Sequence, residues 1–143
     1  MESCPMCMKW TDEPEFRIAE LDFCYVILNR DQFFQGYTFV VTKQHVTELF
    51  HLDRVARETL MEEVSRVAAS LYRLFQPDKI NYELLGNMVP HIHWHLIPRF
   101  RTESLWPRPI WSEPHSEQFL TTDEYAQRIG LIRELMERGP LNP

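Results

Sequence analysis

A chain of 143 residues is the size of one folding unit and can bury a core without staples. Hydrophobic residues make up 44% and charged residues 25%, and no apolar run approaches the ~20 residues that span a bilayer, which argues against a membrane protein. A net charge of −6 argues against a surface for long nucleic acid, because duplex binding relies on clustered Lys and Arg, whereas a small anionic ligand needs only local donors.

The N-terminus opens Met1-Glu2-Ser3-Cys4-Pro5, with neither a basic start nor an apolar stretch, so a cytoplasmic protein is expected. There, disulfides are disfavoured and the cysteines need another reading. Cys4-Pro5-Met6-Cys7 has a spacing that lets two thiolates bind one zinc, although two more ligands are needed; ordinary thiols are the alternative. Asp22 to Leu28 and Tyr37 to Thr42 are rich in aromatic and branched residues and read as two strands joined by a loop. Cys24, on the first of them, is expected as a small buried hydrophobe.

Asp53 is placed to cap a helix in which Leu60, Val64, Val67, Leu71 and Leu74 make one apolar stripe, ended by Gln76-Pro77-Asp78. A third strand begins near Ile80, and after a turn at Gly86-Asn87 a fourth runs from Val89 to Arg99. From Arg101 to Glu117, Pro107, Pro109 and Pro114 accompany Trp106 and Trp111, which suits an extended segment lying over another surface. Thr121 to Glu124 offers a capping box for a last helix through Tyr125, Ile129, Ile132 and Leu135, stopped by Gly139-Pro140. His51 and His115 are expected in solvent. The expectation is α+β: an antiparallel sheet of about five strands with packed helices, in a single domain over residues 1–143 whose 101–143 part is a Pro/Trp-rich tail and C-terminal helix.

The run His91-Ile92-His93-Trp94-His95 carries the chemistry. On a strand, side chains alternate, so the three imidazoles share one face and Ile92, Trp94 and Leu96 the other. At about 3.3 Å per residue the outer Cα atoms lie roughly 13 Å apart, too far for all three rings to share one tetrahedral ion. Free of metal, such a row suits phosphoryl chemistry: a neutral imidazole nitrogen attacks near pH 7 while a neighbouring ring donates hydrogen bonds to phosphate oxygens. His93 has helpers on both sides. A strand that only packs, or binds adventitious metal, is the alternative.

The run His91 to Ile97 resembles the histidine triad (HIT) family pattern His-φ-His-φ-His-φ-φ, with φ apolar, and Pro98-Arg99 continues it as in many members. Gly86-Asn87-Met88-Val89 is similar to the family's Gly-Gln-x-Val, and Gly36 to His45 to its Gly-His-x-Leu-Val-x-Pro-Lys-x-His strand. Asn stands for Gln at 87, and Tyr37 stands where many relatives carry His.

The resemblance implies a nucleotide hydrolase, or a nucleotidyltransferase or phosphorylase, working through a nucleotidyl-His93 intermediate without a catalytic metal. It implies catalytic roles for His93, His95 and His91, and nucleotide contacts from Asn29, Asn87, His93 and His95. A turn residue is the alternative for Asn29. The substrate would be a dinucleoside polyphosphate or a nucleoside phosphoramidate. Some members complete a structural zinc in a way that here would use Cys4, Cys7, His45 and His91. A homodimer is implied, and a zinc-stabilised nucleotide-binding scaffold remains the non-enzymatic alternative.

Overall fold

The computed structural model describes residues 4–139, and Pro140, the expected stop of the last helix, lies outside the described residues. Three helices, α1 (Pro5–Asp12), α2 (Arg54–Phe75) and α3 (Thr122–Glu137), accompany five strands: β1 (Arg17–Glu20), β2 (Cys24–Leu28), β3 (Thr38–Thr42), β4 (Lys79–Glu83) and β5 (His93–Arg99). The strands form one antiparallel sheet in the order β1-β2-β3-β5-β4. The architecture is α+β. Among the described residues no helix is long and apolar enough to cross a membrane.

Both long helices form for the reasons legible in their sequences. Asp53 accepts a hydrogen bond from Ala56 N at 2.8 Å, and the stripe of Leu60, Val64, Val67 and Leu71 is buried against the sheet. Gln76 then ends α2 in the left-handed region. In α3 the capping box closes in both directions, with Glu124 N donating to Thr121 Oγ1 and Thr121 N donating to Glu124 Oε1. Tyr125, Ile129, Ile132 and Met136 are its buried side.

The turn into β3 needs glycine. Gly36 has φ of +87°, and a Cβ there would lie 2.6 Å from the Phe75 ring of α2. Phe75 and Pro98 both crowd this position, so α2 covers the face of β5 that carries Trp94, Leu96 and Pro98. His93, His95 and Ile97 take the opposite face by alternation.

Two elements lie outside the sequence expectations. β1 spans four residues and buries only Ile18. α1 buries no residue fully and has only Met6 and Trp10, one turn apart, packed against the core; Pro5 in its first turn is its capping signal. It lies over the histidine face, with Trp10 stacked on Tyr25 at 4.5 Å and 11°. The expected fourth strand also starts later, at His93 rather than Val89. Pro90 has no N–H to give a ladder, His91 N closes a tight turn onto Val89 O, and Ile92 N reaches Val46 O instead.

Candidate active site

The displaced strand start splits the histidine run into two sites. His93 and His95 stand side by side on β5, with ring centroids 4.9 Å apart. His91, two residues earlier, is fully buried. Its Nε2 donates to Thr42 O at 2.7 Å, while its Nδ1 lies 3.4 Å from Cys4 Sγ and 3.5 Å from Cys7 Sγ. Both nitrogens of the His91 ring are committed, and what it offers its neighbour is a backbone carbonyl.

That carbonyl matters to His93. A carbonyl can only accept, so His93 Nδ1 carries the proton it donates to His91 O at 2.6 Å. Neutral His93 therefore holds its lone pair on Nε2, the arrangement an attacking imidazole needs. Burial, with the Glu83 and Asp31 carboxylates, pushes the Tyr37 hydroxyl well above its usual pKa, so it keeps its proton; it lies 2.5 Å from His95 Nδ1. Burial, assisted by charge on His93, lowers the His95 pKa to about 4. His95 is thus neutral, and when Tyr37 donates to its Nδ1 the ring proton stands on Nε2, a hydrogen-bond donor beside the lone pair of His93. Phe39, opposite His95 in the β3–β5 register, walls the pair, with its ring centroid 5.2 Å from His95 and 6.3 Å from His93.

Tyr37 gives a direct test. The Tyr37→Phe protein keeps the ring but frees His95 Nδ1, so both tautomers become available and the Nε2 donor is lost part of the time. Turnover should fall about tenfold to a hundredfold, in kcat more than in KM, as when one oxyanion donor is removed. Steady-state kinetics check this; an unchanged kcat would show that the tyrosine merely packs.

Asn29 follows β2; its N–H donates to Tyr37 O at 2.9 Å and its side-chain oxygen accepts from Asp31 N at 3.3 Å, so it sits near Tyr37 and makes a turn contact of its own. Asn87 is exposed in the bend between Gly86 and Val89. Two residues that sequence reasoning did not single out for the site border His95. Glu83 of β4 is its register partner, and Trp111 lies edge-on to it at 5.6 Å. His115, expected in solvent, instead stacks on Phe33 at 4.2 Å and meets Asp31 at 2.9 Å. Loop partners distant in sequence made that contact invisible.

The second site gathers Cys4, Cys7, His45 and His91, whose donor atoms all lie within 4.8 Å of one another. Cys7 Sγ is 3.4 Å from His45 Nδ1. A tetrahedral zinc with usual bond lengths holds sulfur and nitrogen about 3.5 Å apart, so the set fits that ion. Burial lowers the His91 pKa and favours the neutral ring a metal requires, while Thr42 O orients it from behind. Burial and the neighbouring Cys4 raise the Cys7 thiol. A cleft of about 1020 Å³ between β1, α2 and α3 contains none of these cysteines and histidines.

With both clusters placed, the relatives can be compared. Residues 11–102 match the HIT domain model. An uncharacterised HIT-like protein of Borreliella burgdorferi is 28% identical over 111 residues, 72% of this chain and 80% of that protein. A histidine triad protein of Bradyrhizobium japonicum superposes with a TM-score of 0.77 at 29% identity, over 88% of this chain and 95% of the other. A Zn-bound histidine triad family protein from Mycobacterium smegmatis shares the fold, with a TM-score of 0.67 at 21% identity over 95% of this chain and 94% of its own. The chain belongs to the HIT family.

Proposed function

We propose that this protein is a nucleotide hydrolase that works through a nucleotidyl-His93 intermediate. The observation that carries the reading is how the two neighbouring rings are held: His93 Nδ1 donates to His91 O, and His95 Nδ1 lies against the Tyr37 hydroxyl. One ring offers a lone pair and the next a proton. His93 Nε2 attacks the α-phosphorus of a dinucleoside polyphosphate or nucleoside phosphoramidate, forming the P–N bond as the leaving group departs with its bonding pair. His95 Nε2–H steadies the phosphoryl oxygens, with Asn87 at the bend before β5 adding to them and Asn29 at the ribose. Water then attacks the adduct, releasing the nucleotide and restoring His93. Among the solved relatives of the same fold is a Plasmodium falciparum diadenosine triphosphate hydrolase, at 14% identity.

Cys4, Cys7, His45 and His91 would hold a structural zinc, the metal named for the Mycobacterium smegmatis relative. Zinc would tie α1 to the segment that leads into β5, leaving His93 and His95 for the substrate. The protein acts on small nucleotides in the cytoplasm, without long nucleic acid or membrane, as a homodimer.

The experiment is acid-quenched single turnover followed by peptide mass spectrometry. A nucleotidyl group on the His93 peptide, chased by water to the free nucleotide, is the expected result. Accumulation of a nucleoside diphosphate only when inorganic phosphate is supplied would instead mark a phosphorylase. Failure to trap the adduct across both substrate classes would leave a nucleotide-binding scaffold.

A further inference from the structure

Two of the three cysteines sit across the first turn of one helix. Cys4 is the N-cap residue of α1, and Cys7 lies three residues further on. Helical positions so related have Cα atoms about 5 Å apart, inside the window of roughly 4.4–6.8 Å that a disulfide bridges. The two sulfurs are already within 4.8 Å of one another. A bond between them asks for side-chain rotation and little movement of the backbone.

The cluster opens to solvent on one side. Cys7 and His45 are exposed, Cys4 is half-buried and His91 is buried. A small oxidant in water therefore meets the Cys7 sulfur first, with Cys4 behind it as the partner. Cys24 is fully buried on β2, away from that opening. Metal binding demands the thiolate, which is also the form that reacts with a peroxide. His91 joins the pair to the catalytic strand: its Nδ1 lies 3.4 Å and 3.5 Å from the two sulfurs, and its carbonyl accepts from His93 Nδ1 at 2.6 Å.

We infer that Cys4 and Cys7 are an oxidation site for hydroperoxides, closing to a disulfide that ends metal binding and loosens the hold of His91 on His93. The metal part of this inference rests on the zinc reading above; the disulfide does not. With hydrogen peroxide, the Cys7 thiolate attacks one oxygen, the O–O bond breaks, hydroxide leaves, and Cys7 becomes a sulfenic acid. The Cys4 thiolate then attacks the Cys7 sulfur, forming the S–S bond and releasing a second hydroxide. The two electrons that the sulfurs lose reduce the peroxide. Disulfide sulfurs carry no negative charge, which leaves two imidazoles as the only ligands for an ion. Among the described residues the His91 ring then keeps Thr42 O as its hydrogen-bond partner.

The test treats the zinc-loaded full chain with hydrogen peroxide. Zinc released to a chromogenic chelator should rise in step with a disulfide in the tryptic peptide Met1–Lys9, seen by mass spectrometry as the loss of two hydrogens. Cys24, in the peptide Ile18–Arg30, should stay a thiol that alkylates only after denaturation. The ¹⁵N resonances of the His93 ring should move from one Nδ1-protonated tautomer toward an average of both, and dithiothreitol with zinc should return them. In Cys4→Ser the reaction should stop at Cys7, whose sulfenic acid dimedone traps.

Zinc release without the Met1–Lys9 disulfide, or a disulfide that includes Cys24, overturns the pairing. An unchanged His93 ring spectrum in the oxidised protein overturns the link to the nucleophile. A chain that never binds zinc refutes the metal reading by itself, because the metal-free protein still has to close the same disulfide under peroxide. Failure of that closure overturns the oxidation site whether or not zinc binds.

Discussion

Replacing His93 with alanine should reduce turnover by at least about 10⁴-fold while leaving the fold in place, the scale seen when a covalent nucleophile is removed. His93 is 5% exposed and its ring packs near Phe39 and His95, so the change opens a small hole but strips no ladder hydrogen bond from β5. Circular dichroism should match the unmodified protein, and the melting temperature should shift by only a few degrees. Loss of turnover with an intact fold assigns the chemistry to Nε2. His95→Ala should do less, since it removes a donor and not the nucleophile, about 10²-fold to 10³-fold. If His93→Ala turns over normally in a preparation free of the unmodified protein, the covalent route is wrong.

Metal removal should have the second large effect. The four donors come from the start of α1, from the segment after β3 and from the segment before β5, so an ion there would cross-link three stretches of the chain. α1 buries no residue fully; Met6 and Trp10 pack against the core while only partly buried. Structural zinc contributes of order 10 kcal/mol in small zinc domains, so chelation should lower the melting temperature by about 10 °C or more. The protein as purified should carry one zinc per chain by elemental analysis, and Cys4→Ser with Cys7→Ser should abolish it. Zinc loss should also slow turnover, because His91 O positions His93. A metal-free protein whose melting is indifferent to chelator and to added zinc would refute the site.

These two effects are linked by a division the family pattern alone conceals. In the one-letter run, three histidines look equivalent. Pro90 and the tight turn at His91 end that equivalence by delaying the strand to His93, so the first ring lies against the cysteines while the next two stand together on β5. Tyr37 then places its hydroxyl against His95 Nδ1.

Much of the molecule follows from the sequence by itself, because the forces involved are local. The stripe of Leu60, Val64, Val67 and Leu71 makes α2, Thr121 and Glu124 start α3, and the branched and aromatic runs make β2 and β3. The C-x-x-C pair and the spaced histidines name the residue types of both sites. Tertiary structure decided the rest. β1 is too short for a pattern and exists only because β2 and α3 cover it. Trp111 reaches His95 in a segment held by Arg99, which donates to the carbonyls of Leu105 and Arg108, and Tyr37 meets His95 across 58 residues of chain. Such contacts are set by register between strands distant in sequence, and a one-dimensional pattern holds no measure of that distance.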